Sequence, residues 1–230
     1  SIQTIAGPAL NDEQSAAVDA ILSSLGRYQP FLLLGITGSG KTEVYLQAIA
    51  AALARNTQAL LLVPEIALTP QLQSLVAARF PGTTLATLHS GLAEGERAAH
   101  WEAARSGKAR IILGTRLAVF APLPAPGLII VDEEHDSSFK QGEGFRYSAR
   151  DLAVVRARQA GVPVVLGSAT PALESYRNAL DGRYRLLRLS QRIHALPPQI
   201  DCIDLQQDQP ADGLSGRLIA AIRARIGRGE

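Results

Sequence analysis

The stretch Phe31-Leu-Leu-Leu-Gly35-Ile-Thr-Gly-Ser-Gly40-Lys41-Thr42 decides the fold. An apolar run closes on a glycine, four residues follow, and Gly40-Lys41-Thr42 opens a segment rich in helix formers. This order of strand, glycine-rich turn and helix lets successive backbone N–H groups point at phosphate oxygens, with the positive end of the helix behind them. Gly35, Ile36, Thr37, Gly38, Ser39, Gly40, Lys41 and Thr42 are therefore the candidate ATP-binding loop. Lys41 is expected at the β- and γ-phosphates, and the Thr42 hydroxyl at Mg²⁺.

Working outward, similar short apolar runs recur at Ala59 to Val63, Thr84 to Leu88, Arg110 to Gly114, Leu128 to Asp132 and Val162 to Gly167. They are apolar on both faces, as strands of a parallel sheet covered on both sides must be. Between them Thr42 to Ala54, Pro70 to Arg79, Glu94 to Arg105, Ala149 to Ala160 and Pro171 to Leu180 are rich in Ala, Leu, Glu, Gln and Arg and read as helices. The alternation predicts an α/β domain with a mostly parallel central sheet and helices on both faces. It spans residues 1–194. Residues 195–213, with Pro197, Pro198 and Pro210, break the pattern around one expected strand, Ile200 to Leu205. An amphipathic helix, Leu214 to Ile226, follows, so residues 195–230 read as the exit toward another domain.

A metal beside a triphosphate needs a carboxylate at the end of a second buried strand, and the attacking water needs a group to orient it. Leu128-Ile-Ile-Val-Asp132-Glu133-Glu134-His135 supplies both, with Asp132 as the Mg²⁺ partner and Glu133 as the base. Lys41, Asp132 and Glu133 are thus the catalytic candidates. His135 either couples these acids to the rest of the machinery or is a surface histidine. The turn Gly167-Ser-Ala-Thr170 brings the hydroxyls of Ser168 and Thr170 to the same sheet edge.

Gly38-Ser-Gly-Lys-Thr42, Asp132-Glu-Glu-His135 and Gly167-Ser-Ala-Thr170 resemble, in that order, motifs I, II and III of superfamily 2 helicases. Val63-Pro-Glu-Ile-Ala-Leu-Thr-Pro-Gln71, Leu88-His-Ser-Gly-Leu92, Gly114-Thr-Arg116 and Asp132-Glu-Glu-His-Asp-Ser-Ser-Phe-Lys-Gln141 narrow the resemblance to the bacterial replication restart helicases, the PriA or primosomal protein N′ family. It runs from Leu10-Asn-Asp-Glu-Gln14 to Tyr184-Arg-Leu-Leu-Arg188. It implies a RecA-like P-loop NTPase fold, the first motor lobe of an ATP-dependent 3′ to 5′ DNA helicase acting in primosome assembly and restart of stalled forks. By the same resemblance its partners are single-stranded and forked DNA, other primosome proteins and single-stranded DNA-binding protein. Gln14 matches the glutamine that reads the adenine edge in neighbouring families; it is otherwise a helix-start polar residue. The family's zinc-binding cysteines, N-terminal DNA-binding domains and second motor lobe lie outside these residues. An arginine finger from a second lobe is worth roughly 10³ to 10⁵ in rate, so this piece alone is expected to hydrolyse nucleotide poorly.

The DNA side also has a compositional signal. Aromatics make up 5% of the chain, yet Phe139, Phe145 and Tyr147 fall within nine residues, among Lys140 and Arg146, with Arg150 just beyond. Rings stack on unpaired bases and cations meet phosphates. Such a loop, starting just past His135, would couple DNA contact to the acids, and the resemblance agrees. Thr115 and Arg116, at a strand end, are candidate donors to DNA phosphates; Arg116 could instead pair with a local carboxylate. Trp101 and Cys202 read as core residues.

Composition narrows the rest. The 230 residues are 47% hydrophobic, 19% charged and carry a net charge of +2, a balance that neither requires nor forbids nucleic acid. No apolar run approaches the ~20 residues of a membrane span, no signal peptide is visible, and one cysteine cannot close an internal disulfide, so a bacterial cytoplasmic protein is expected. A start at Ser1 and the lack of any Met suggest an excised segment with partner domains missing. The rivals are another superfamily 2 translocase such as a RecG-like branch migration helicase or a transcription-repair coupling factor, a small-molecule P-loop kinase, and a nucleotide-switched DNA-binding module.

Overall fold

A computed structural model describes residues 3–193, 200–208 and 213–228. The chain divides into two compact units, Ser1–His194 and Ala195–Glu230. In the first, α1 (Asp12–Leu22) leads into β1 (Pro30–Gly35), α2 (Lys41–Ala54), β2 (Gln58–Leu62), α3 (Pro70–Arg79), β3 (Leu85–Leu88), α4 (Glu94–Arg105) and β4 (Ile111–Gly114). Then follow β5 (Pro126–Val131), the short strands β6 (Lys140–Gln141) and β7 (Tyr147–Ser148), α5 (Ala149–Ala160), β8 (Val164–Ser168), α6 (Leu173–Leu180) and β9 (Arg185–Leu189).

Seven strands form one sheet in the order β3-β4-β2-β5-β8-β1-β9, and every pairing in it is parallel. Period-two alternation divides the core between its faces. Phe31, Leu33, Ala59, Leu61, Leu128 and Ile130 pack toward α1 and α2. Leu32, Leu60, Leu62, Ile129 and Val131 pack toward α5. A parallel sheet collects the C-terminal ends of its strands at one rim, where ligands of open α/β sheets bind. That rim carries the residues after β1, β2, β3, β4, β5 and β8, which are the ones singled out from sequence.

Local chemistry sets the boundaries. Asn11 caps α1 in a capping box with Gln14, Thr69 and Pro70 start α3, and Ser148 caps α5, which Gly161 ends in the left-handed conformation. The six strands expected in this first unit are present. The sequence reading gave α1 no range beyond a helix start at Gln14, and it lacked β9, Arg185-Leu-Leu-Arg-Leu189, an edge strand against β1 that buries Leu187 and Leu189. The second unit holds α7 (Gly216–Ile226). The strand expected over Ile200 to Leu205 does not form. Asp204 instead accepts from the N–H groups of Gln206, Gln207 and Asp208, a turn that competes with an extended backbone. With no strand face to enter, Cys202 is exposed rather than core. Part of the expected exit segment, residues 194–199 and 209–212, lies outside the described residues.

Trp101 is also not a core residue. It is 39% exposed and lines, with Arg97, Leu117 and Phe120, an open groove of about 490 Å³. Only Ala104 of α4 is buried, so this helix rests on the sheet edge through a small residue and leaves its ring at the margin.

Candidate active site

The phosphate loop is shaped by close approaches. Gly38 and Gly40 have φ near +80° and +79°, conformations that a side chain would strain. A β-carbon on Gly35 would stand 2.6 Å from Ser39 Oγ. Lys41 begins α2 and is buried; its ammonium donates to the Gly35 carbonyl at 3.2 Å and lies 3.4 Å from a Glu133 carboxylate oxygen. Ile36, Thr37, Gly38, Ser39, Gly40, Lys41, Thr42, Asp132, Glu133 and Ile193 line one cleft of about 340 Å³. The two separate sequence signals thus belong to a single site.

Gln14 is 2% exposed. Its amide donates to the carbonyls of Ser39 (3.2 Å) and Gly40 (3.4 Å), and its oxygen accepts from Asn11 N–H. The side chain expected to read adenine therefore spends both donors on holding the phosphate loop. Residues 190–193 fold over the same loop. Ile193 N–H donates to the Gly38 carbonyl, and Glu13 accepts from Ser190 and Gln191, bonds that hold its carboxyl below the usual range. Sequence reasoning missed this strap, since no motif marks it.

Asp132 lies at the end of β5, largely buried. Burial raises its carboxyl above the ordinary aspartate value, helped by Glu133, while the Tyr45 hydroxyl and Lys41 oppose the shift. Glu133 adopts φ of 46°, uncommon for a side-chain-bearing residue and worth notice at a site of this kind. Its second carboxylate oxygen is 3.7 Å from His135 Nδ1. Ser168 Oγ accepts from Thr170 N–H at 2.9 Å and lies 2.8 Å from His135 Nδ1, while His135 Nε2 is 3.4 Å from Thr170 Oγ1. Lys41, Glu133, His135, Ser168 and Thr170 therefore form one chain of polar contacts from the phosphate loop to the Gly-Ser-Ala-Thr turn.

Glu134, which no motif argument separated from its neighbours, is buried at 2%. It accepts from Ala172 N–H (2.7 Å), Ser175 Oγ–H (2.7 Å) and Arg150 (3.3 Å), so it ties the acids to the starts of α5 and α6. A lone buried carboxylate must be paired in this way. Arg150 is consequently not a free cation beside the aromatic loop.

The expected DNA surface is revised in three places. Phe139 is 1% exposed and packs in the core under α5, because the turn at Ser137 aims its ring inward; it offers no face to a base. Thr115 is 2% exposed. Arg116 donates to the carbonyls of Ser138 and Lys140, at 3.2 and 3.0 Å, and so anchors the base of the aromatic loop instead of pairing with a carboxylate. Phe145 is 77% exposed, and Lys140 and Arg146 are exposed beside it. Tyr147 is half-buried, its ring 6.0 Å from that of Phe145 and edge-on to Phe120 at 5.0 Å.

The donors near the phosphate loop fit Mg²⁺, which takes hard oxygen ligands and is commonly held by one or two carboxylates plus substrate phosphates. Thr42 and Asp132 supply a hydroxyl and a carboxylate in the same cleft. Ser39 Oγ is buried in that loop without a hydrogen-bond partner among the described residues, a polar atom placed for a ligand to satisfy.

Residues 11–179 match the DEAD/DEAH box helicase family, and the chain belongs to it. Within that family it is similar to replication restart protein PriA. It is 46% identical to the protein of that name from Bacillus subtilis over 86% of this chain, 50% identical to that of Chlamydia pneumoniae over 87%, and 43% identical to that of Haemophilus influenzae over 96%. The chain spans 25%, 27% and 30% of those relatives, about a quarter to a third of their length. Among solved structures, RecG bound to a three-way DNA junction has a similar fold, with a TM-score of 0.56 and 21% identity over 84% of this chain and 25% of that one. The DEAD-box helicase Mss116 bound to single-stranded RNA gives a TM-score of 0.56 at 18% identity, covering 80% of this chain and 40% of that one. These show that the chain shares its fold with domains of helicase structures. No helix among the described residues is long and apolar enough to cross a membrane.

Proposed function

We propose that this chain is the first motor lobe of a replication restart helicase, binding ATP with Mg²⁺ and coupling its hydrolysis to single-stranded DNA. The observation that carries the reading is the continuous path Lys41–Glu133–His135–Ser168–Thr170, which joins the nucleotide cleft to a turn at the rim of the sheet. The relatives' shared name supports the restart role. A 3′ to 5′ direction, forked DNA, primosome proteins and single-stranded DNA-binding protein as partners, and a cytoplasmic location follow from the same family reading.

The loop's N–H groups and Lys41 hold the phosphates, and Gln14 fixes the loop from behind. Bound magnesium would neutralise charge on the phosphate oxygens, with Thr42 and Asp132 as its protein partners. Glu133, 3.4 Å from the Lys41 ammonium, takes a proton from the attacking water, and positioned bases of this kind contribute about 10²- to 10⁴-fold. Its carboxylate is near His135, so movement of His135 changes the base's position. Ser168 and Thr170 hold His135, and Arg116 with the Phe139 core contact fixes the base of the loop bearing Phe145, Arg146 and Tyr147. A base stacked on Phe145 would load that loop and reach the acids through residues 135–139.

The test is nucleotide turnover with and without single-stranded DNA, in the parent chain and in Glu133→Gln. Turnover stimulated by DNA, abolished in the variant while nucleotide still binds, supports a motor. Binding of DNA that responds to nucleotide but is unchanged by Glu133→Gln would instead identify a switch module.

A further inference from the structure

Among the buried titratable side chains, one stands at the centre of the site without a part in the chemistry described so far. Tyr45 lies one turn into α2 from Lys41 and is 1% exposed. Its hydroxyl donates to Asp132 Oδ1 at 2.8 Å, across a sequence separation that joins the helix of the phosphate loop to the end of β5. The same Oδ1 also accepts from Glu133 N–H at 3.0 Å. Two donors thus occupy one oxygen of Asp132 and leave the other for the cleft.

The neighbouring backbone is built around this tyrosine. A methyl group at Gly167 would overlap the Tyr45 hydroxyl, stand 2.9 Å from Cζ, and come within 3.4 Å of Asp132 Oδ1. Gly167 is not in the left-handed region, so the backbone there would accept alanine; what excludes a side chain is Tyr45 itself. The Gly167 carbonyl in turn accepts Glu134 N–H at 3.0 Å. Tyr45 is the point where the phosphate-loop helix, the acids and the Gly-Ser-Ala-Thr turn meet.

We infer that Tyr45 is a positioning residue that fixes the rotamer of Asp132, so that one carboxylate oxygen faces the metal bound with nucleotide, and that Gly167 is glycine to admit it. The inference rests on Asp132 being the metal-side carboxylate. Groups that orient a metal's ligands typically change metal affinity by about 10- to 100-fold when removed. In Tyr45→Phe the aromatic packing stays while the donor is lost. Asp132 Oδ1 then keeps only the Glu133 N–H, and the carboxylate is free to turn.

The experiment titrates Mg²⁺ against binding of a fluorescent ADP analogue to the chain, with folding checked by circular dichroism. Tyr45→Phe is expected to raise the Mg²⁺ needed for half-maximal binding by about tenfold or more, leaving affinity in chelator unchanged. Gly167→Ala is expected to raise it too, by displacing the hydroxyl, but to add much less in the Tyr45→Phe background, where no hydroxyl donor to Asp132 is left to displace. An unchanged Mg²⁺ requirement in Tyr45→Phe, or effects of the two substitutions that simply multiply, overturns the inference. Thr42→Ala separates the failures: if it raises the Mg²⁺ requirement and Tyr45→Phe does not, only the role of Tyr45 is lost; if neither does, the metal reading of the site falls with it.

Discussion

Replacing Glu134 by Ala removes the acceptor of three donors at once: Arg150, the Ala172 N–H at the start of α6, and the Ser175 hydroxyl. Breaking a buried ion pair by deleting one partner typically costs about 3–5 kcal/mol. Arg150 retains Asp151 at 2.8 Å and Glu174 at 3.9 Å, which moves the expectation toward the lower end. The stranded Ala172 N–H and Ser175 hydroxyl move it back, since a buried unsatisfied donor costs about 1–3 kcal/mol. A loss of about 3–5 kcal/mol is expected, and at roughly 2–4 °C per kcal/mol for a chain of this size it lowers Tm by about 6–20 °C. Ser175→Ala, which removes one neutral bond, is expected to cost only about 1 kcal/mol. Urea and thermal unfolding followed by circular dichroism measure both. Glu134→Ala combined with Arg150→Ala should cost less than the sum of the single changes by about 0.5–3 kcal/mol, because the second removes the cation the first leaves exposed to its own burial. If Glu134→Ala costs under about 1 kcal/mol, or the two changes add without coupling, the claim that this carboxylate pins α5 and α6 to the acids would be refuted.

Lys41→Ala is expected to abolish measurable nucleotide binding, read by equilibrium fluorescence titration; unchanged affinity would remove the phosphate-loop assignment. The two phenylalanines of the aromatic loop should separate cleanly: Phe139→Ala lowers stability by about 3–5 kcal/mol, whereas Phe145→Ala leaves unfolding unchanged and weakens single-stranded DNA binding by ~1–3 kcal/mol, measured by anisotropy. Acid should loosen the strap over the phosphate loop. The Glu13 carboxyl is held below its ordinary value in the folded chain, so the stabilisation is present above the unfolded value and disappears as pH falls through the folded one. Hydrogen exchange at Ser190 and Gln191, followed as pH falls below the ordinary glutamate value, should show it, with Glu13→Gln flattening the response.

The parallel sheet was legible because strands buried on both faces leave continuous apolar runs, as at Leu60 to Leu62 and Leu128 to Val131. The candidate cleft was legible because Lys41 and Thr42 belong to one motif and Asp132 and Glu133 to another, and the fold brings all four to one lining. Other residues owe their roles to partners distant in sequence. Tyr45 meets Asp132 and Glu134 meets Arg150 only after the chain has folded, so no local pattern marks them. Phe139 shows the opposite error. A ring in an aromatic cluster is not exposed by membership, and a single turn at Ser137 and Ser138 sends it into the core while Phe145 stays in solvent. For β9, Arg185 and Arg188 are tolerated at the sheet edge but interrupt the continuous apolar signal that marks the interior strands.

Because all seven sheet strands run the same way, the connections at residues 55–57, 81–84, 106–110 and 161–163 gather at the end opposite the cleft lined by Lys41 and Asp132. An attached dye, a surface tether or an inserted reporter domain there would stay clear of the proposed nucleotide and DNA sites. Such attachments would make that end the natural handle for watching the lobe at work without disturbing it.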